Sequence, residues 1–122
     1  MTVSEAIGGF DRIRPNAYSL RDKIRWLSEL DGRLYLEVLC THAPFPTQPL
    51  PVYTEADGEK ELLVGKPYED LYFKWLEQKT DYDNGETGSF LNSSAAFLSL
   101  YTEFRNHYHR THTPISARAR YF

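Results

Sequence analysis

Three of the chain's four histidines crowd into His107-Tyr108-His109-Arg110-Thr111-His112, the densest run of metal-ligating side chains in the sequence. On a helix His107 and His109 project about 200° apart, while His109 and His112 share a face. Two imidazoles without an adjoining carboxylate or thiolate make a weak zinc signal. Histidine also suits the dipole at a helix C-terminus. His42 can join them only through the fold. Cys40 closes the apolar run Val38-Leu39-Cys40 with no neighbouring base, so it reads as a small buried hydrophobe rather than a nucleophile. Asp81, Asp83 and Glu86 surround Gly85 without the oxygen ligands or glycine placement of a calcium loop, and read as a solvated helix end. Asn92-Ser93-Ser94 matches a glycosylation sequon, which carries no meaning without a secretory signal. None of these patterns assembles a catalytic set, and none calls for a metal or a cofactor. The sequence points to a non-enzyme.

A second chemistry to weigh is phosphate and base recognition. Arg105, Arg110, Arg118 and Arg120 lie near Tyr108, Tyr121 and Phe122, and arginine interleaved with aromatics binds phosphate and stacks on bases. The sequence pI of about 5.8 makes four arginines a modest footprint. Charge is unevenly spread. Residues 1–42 hold six acidic and six basic side chains, and residues 55–86 hold ten acidic against four basic, a net of −6. Residues 101–122 set Glu103 against four arginines. Either the charges compensate within the chain, or acidic middle and basic end meet across neighbouring copies head to tail.

The elements that must carry these residues are helical. Thr2 and Glu5 have capping-box spacing ahead of Val3, Ala6, Ile7, Phe10 and Ile13; Gly8 and Gly9 weaken this helix, and Pro15-Asn16 ends it. Ser19 and Asp22 start a second helix striped by Leu20, Ile24, Leu27, Leu30, Leu34 and Val38, reaching toward Thr41, with Asp31-Gly32 as a place for a kink. Pro44, Pro46, Pro49 and Pro51 make 43–57 a loop or extended arm, continuing to residue 61. Pro67 fits the first position of a third helix, whose face is Tyr68, Leu71, Tyr72, Trp75, Leu76 and Lys79, running to about Asn84. Beyond the weak points Asn84-Gly85 and Gly88, a fourth face is formed by Phe90, Ser94, Phe97, Tyr101, Phe104 and Tyr108. The predicted fold is all-α: a small bundle of four or five helices over 1–112, with a proline-rich loop and an extended C-terminal tail over 113–122.

In that tail Ile115, Ala117, Ala119 and Tyr121 take one parity and Ser116, Arg118 and Arg120 the other. This is strand periodicity with no partner strand evident in a helical chain. A segment of this kind can add to the sheet edge of another protein. Ile115, Arg118, Arg120, Tyr121 and Phe122 are therefore the candidate partner-binding residues. At 122 residues, with 41% hydrophobic and 15% aromatic side chains, the chain can bury one core unaided. A single cysteine suits a reducing compartment, and neither a membrane span nor a signal peptide is read.

Several motifs together resemble a known family. They are Arg14-Pro15-Asn16, Trp26-Leu27-Ser28-Glu29-Leu30-Asp31-Gly32, Pro67-Tyr68-Glu69-Asp70-Leu71-Tyr72, Asp81-Tyr82-Asp83-Asn84-Gly85-Glu86 and Asn92-Ser93-Ser94-Ala95-Ala96-Phe97. The ending Tyr108-His109-Arg110-Thr111-His112-Thr113-Pro114 and then Arg120-Tyr121-Phe122 belongs with them. Over most of the chain outside the proline-rich segment, they resemble small proteins of prophages of Gram-positive bacteria, specifically the head–tail connector (adaptor) proteins of tailed phages. The resemblance implies a virion structural protein of the neck, assembled in the host cytoplasm, that docks on the portal protein and offers a platform to the next neck or tail component. It implies a homo-oligomeric ring, a dodecamer, that forms on the portal and need not form in isolation, with DNA only as cargo in the channel. The neighbouring alternatives are a head-completion or tail-terminator protein, or a small helical nucleic-acid-binding or regulatory domain.

Overall fold

The computed structural model describes residues 1–114. Four α-helices form the bundle: α1 (Val3–Ile13), α2 (Leu20–Glu37), α3 (Asp70–Asn84) and α4 (Thr87–Thr111). The all-α architecture read from the sequence is the architecture found. The β-structure among the described residues is slight: a two-residue antiparallel pair, β1 (His42–Ala43) with β2 (Thr113–Pro114), and a single Thr2–Glu61 bridge.

Each start signal operates through its side chain. Thr2 accepts from Glu5 N at 3.1 Å while Glu5 Oε1 accepts from Thr2 N at 3.0 Å, a closed capping box. Ser19 Oγ accepts from Asp22 N at 3.1 Å. Gly9, expected to weaken α1, has a packing role: a Cβ there would sit 2.9 Å from the Phe73 ring, so its absence lets α3 approach. The helix gives up some propensity for that contact. Ile13 and Leu20, assigned to buried stripes, are exposed. Both sit at the ends of their helices, on either side of the 14–19 connection.

Two boundaries differ from the expected ones. Pro67 does not open α3; the residues before Asp70 form turns closed by Tyr68 N to Gly65 O and Leu71 N to Tyr68 O. Asp31-Gly32 does not interrupt α2, which continues to Glu37 before a short 3₁₀ turn, Leu39–Thr41. The core lies where Phe10 of α1, Leu27, Leu30 and Leu34 of α2, and Leu71, Tyr72 and Leu76 of α3 meet. Along the outside of α3, α4 adds Phe97 and Phe104. Trp75 ties three helices: its Nε1 donates to Trp26 O at 2.7 Å and its ring packs 5.1 Å from Phe97.

The α3–α4 turn is set by Gly85, whose φ of 73° is left-handed. Glu86 N–H donates to Asp81 O and Gly85 N–H to Tyr82 O, the paired bonds of a Schellman ending. Gly85→Ala should cost about 1–2 kcal/mol, because a Cβ is disfavoured in that backbone region. Gly88 lies inside α4 with nothing within 4 Å of a Cβ, so Gly88→Ala should stabilise by about 0.4–1 kcal/mol. Thermal melts of the two variants moving in the same direction would refute this assignment.

Candidate functional site

The fold joins the root of the tail to the root of the arm. In register, His42 faces Pro114 and Ala43 faces Thr113, so the first two tail residues do have a partner strand within their own chain. That corrects the reading of a ribbon unpaired from Thr113 onward; the two pairs are 72 and 70 positions apart, and no local pattern announces them. The candidate residues Ile115, Arg118, Arg120, Tyr121 and Phe122 lie outside the described residues.

The junction is built by short-range polar bonds. Thr41 Oγ1 donates to Val38 O at 2.9 Å, and His42 Nδ1 lies 2.8 Å from the same carbonyl. A carbonyl only accepts, so Nδ1 carries a proton, and among the described residues the buried Nε2 has no hydrogen-bond partner. The His42 ring stands edge-on to Tyr108 at 5.1 Å and His109 at 5.6 Å, and Tyr108 stacks on His112 at 3.7 Å. Burial raises the Tyr108 hydroxyl above its ordinary value. His42 thus does meet His109 through the fold, while His107 turns away to Tyr68, 5.3 Å between rings. Among the described residues no group of three or more His, Cys, Asp or Glu is placed to hold a metal. Cys40 is half-buried. Arg105 and Arg110 are exposed on α4, Arg105 over the Tyr101 ring at 5.9 Å. The Tyr101 hydroxyl donates to Glu37 at 2.7 Å, and burial together with that carboxylate pushes it up to about 12.

The proline-rich arm is ordered against α2. Tyr35 Oη donates to Gln48 O at 2.7 Å and Tyr53 N to Ser28 Oγ at 3.1 Å. Its deepest anchor is Asp31, fully buried in α2. One Asp31 oxygen accepts from Tyr53 Oη at 2.5 Å and Leu63 N at 3.1 Å, the other from Tyr72 Oη at 2.6 Å; Tyr72 Oη in turn accepts from Val64 N at 2.9 Å. Desolvation raises the Asp31 carboxyl above the usual carboxylate range despite these three donors. In the sequence Asp31, followed by Gly32, reads only as a kink point. The available signal was its place among Leu27, Leu30 and Leu34, on the buried side of the helix. Between arm and α2 runs a groove of about 600 Å³ lined by Arg21, Ile24, Arg25, Val52, Tyr53 and Glu55, with Phe45, Leu50 and Val52 of the arm exposed.

The acidic cluster is not a solvated helix end throughout. Asp83 and Glu86 are exposed, but the Asp81 side chain is only 2% accessible. Arg14 Nη1 pairs with it at 2.5 Å, Ser93 Oγ donates to its other oxygen at 2.8 Å, and Arg14 Nη2 reaches Glu86 at 3.2 Å. Ser93, read as part of a sequon, is thereby a buried strut between α3 and α4. Tyr18 Oη closes the same corner by donating to Asn84 Oδ1. No family model, curated protein or solved structure matches this chain.

Proposed function

We propose that this protein is a passive joint of a phage neck: a head–tail connector that docks on the portal and carries no catalytic chemistry. The observation that carries the reading is the β1–β2 pairing, because it gathers the roots of the two candidate contact segments at one end of the bundle. The arm starts at Pro44 and the tail at Pro114; the arm, held on α2 through Gln48 and Tyr53, would meet other subunits with its outer face while the helices serve as a rigid wedge. The exposed Phe45, Leu50 and Val52 give the arm apolar contact area of the kind that interface cores use. A predominantly helical chain also sits better with a connector than with a head-completion or tail-terminator protein, which tend to be richer in β-structure.

Co-expression with the portal protein of the same phage genome tests this directly. The full chain should co-purify as a ring on the portal, visible by electron microscopy. The same chain ending at Pro114 should keep its helical circular dichroism and lose the complex. Portal rings that stay bare, or a truncated chain that assembles as well as the full one, would overturn the proposal. Duplex DNA titrated at low and moderate salt separates the regulatory alternative, since phosphate-driven binding falls steeply with salt.

A further inference from the structure

We infer that the aromatic hollow at the α3–α4 turn receives residues 118–122 of a second copy of this chain. The hollow measures about 290 Å³ and is lined by Asp81, Tyr82, Gly85, Glu86, Thr87 and Phe90. The Tyr82 and Phe90 rings pack on one another, centroids 5.6 Å apart at 57°, and form one side of it. Tyr82 is 72% exposed, so this aromatic side lies open to a partner. Its volume falls just below the roughly 300–1,000 Å³ of small-molecule clefts, a size for a single side chain rather than a small-molecule ligand.

Charge selects the occupant. Asp81 and Glu86 line the hollow and share the single Arg14, which leaves a net of −1, and the exposed Asp83 follows Tyr82 in the chain. Arg118-Ala119-Arg120-Tyr121-Phe122 carries the complement, two guanidinium groups next to two rings. Guanidinium also favours the face of an exposed tyrosine such as Tyr82. Complementary fields of this kind set register and partner choice.

Reach excludes the chain's own tail. From Phe90, the hollow's nearer wall, to Thr111, α4 spans about 32 Å at 1.5 Å per residue. Phe122 lies eight residues beyond Pro114, at most about 29 Å of fully extended chain. The tail leaves at the far end of α4, so the segment that fills a hollow comes from another molecule. Each copy then offers one hollow and one tail, a heterologous head-to-tail contact. This contact goes beyond docking on the portal and does not depend on it.

The test is a titration of the ¹⁵N-labelled full-length protein with an unlabelled peptide of residues 113–122 at low salt. Saturable amide shifts should concentrate at residues 82–90. Tyr82→Ala, an exposed position, and the pair Asp83→Lys with Glu86→Lys should each weaken binding about tenfold or more. A peptide carrying Arg118→Glu and Arg120→Glu should bind the charge-reversed protein better than the natural peptide does. No saturable shift at millimolar peptide, shifts at the α2–arm groove instead, or binding indifferent to these substitutions would overturn the inference. Because no portal is present, failure here leaves the connector reading standing, and bare portals in the co-expression experiment leave this contact standing.

Discussion

Asp31→Ala should lower the unfolding free energy by about 3–5 kcal/mol, a large share of a small domain's total. The substitution strips the acceptor from Tyr53 Oη, Tyr72 Oη and Leu63 N at once. Each orphaned buried donor costs about 1–3 kcal/mol, and a methyl group cannot replace the acceptor. These donors come from the arm, the 61–64 segment and α3, so the loss also loosens the arm, which keeps its Tyr35–Gln48 and Tyr53–Ser28 bonds to α2. Tyr53→Phe removes one donor and leaves the other two satisfied, so it should cost only about 1 kcal/mol. Urea unfolding followed by circular dichroism measures both; an Asp31→Ala loss no larger than that of Tyr53→Phe would show that the carboxylate is not the hub.

The same carboxyl gives a signed pH dependence. Its folded value lies above the unfolded one because desolvation disfavours the charge. The folded state therefore binds the proton more tightly, and stability falls as pH rises from about 4 through the folded value. Asp31→Asn cannot titrate. The stability of the wild type minus that of Asp31→Asn should be greatest on the acid side, decline over that window and then stay flat. A difference that grows with pH would mean the three donors outweigh burial.

How far the sequence discloses this molecule depends on the range of each interaction. The Thr2–Glu5 box, the Ser19 cap and the Gly85 stop act within five residues, and each is found where the spacing places it. The apolar faces of α3 and α4 follow their helical period for the same reason, and the all-α class comes with them. Asp31 looked like a helix breaker because its partners Tyr53 and Tyr72 lie 22 and 41 positions away. Asp81 looked like surface charge because Arg14 arrives from α1's end, across the bundle. His42 and the Thr113–Ala43 pairing were hidden in the same manner. A buried polar group takes its meaning from what surrounds it, and only the fold supplies the surroundings.

Arg14→Ala should cost about 3 kcal/mol, the low end for breaking a buried ion pair, since the Arg14 side chain is itself 28% exposed. What is lost is less the attraction than the shelter. Asp81 stays buried with Ser93 as its remaining side-chain donor, and its desolvation is no longer offset. The position also closes α1, where Arg14 N–H donates to Phe10 O; alanine keeps that backbone bond, so the deficit belongs to the side chain. If so, the partner substitution should be compensating rather than additive. Asp81→Leu alone leaves Arg14 free to reach Glu86 and water, and should cost less than Arg14→Ala. The double variant Arg14→Met with Asp81→Leu should recover most of the stability, because apolar side chains of similar size commonly replace a buried pair at little or no loss. A double-mutant cycle from urea unfolding, closed with the single variants Arg14→Met and Asp81→Leu, gives the coupling energy. Strictly additive losses, with no recovery in the double variant, would show that each side chain acts through separate contacts and that the pair does not hold α1 to the α3–α4 turn.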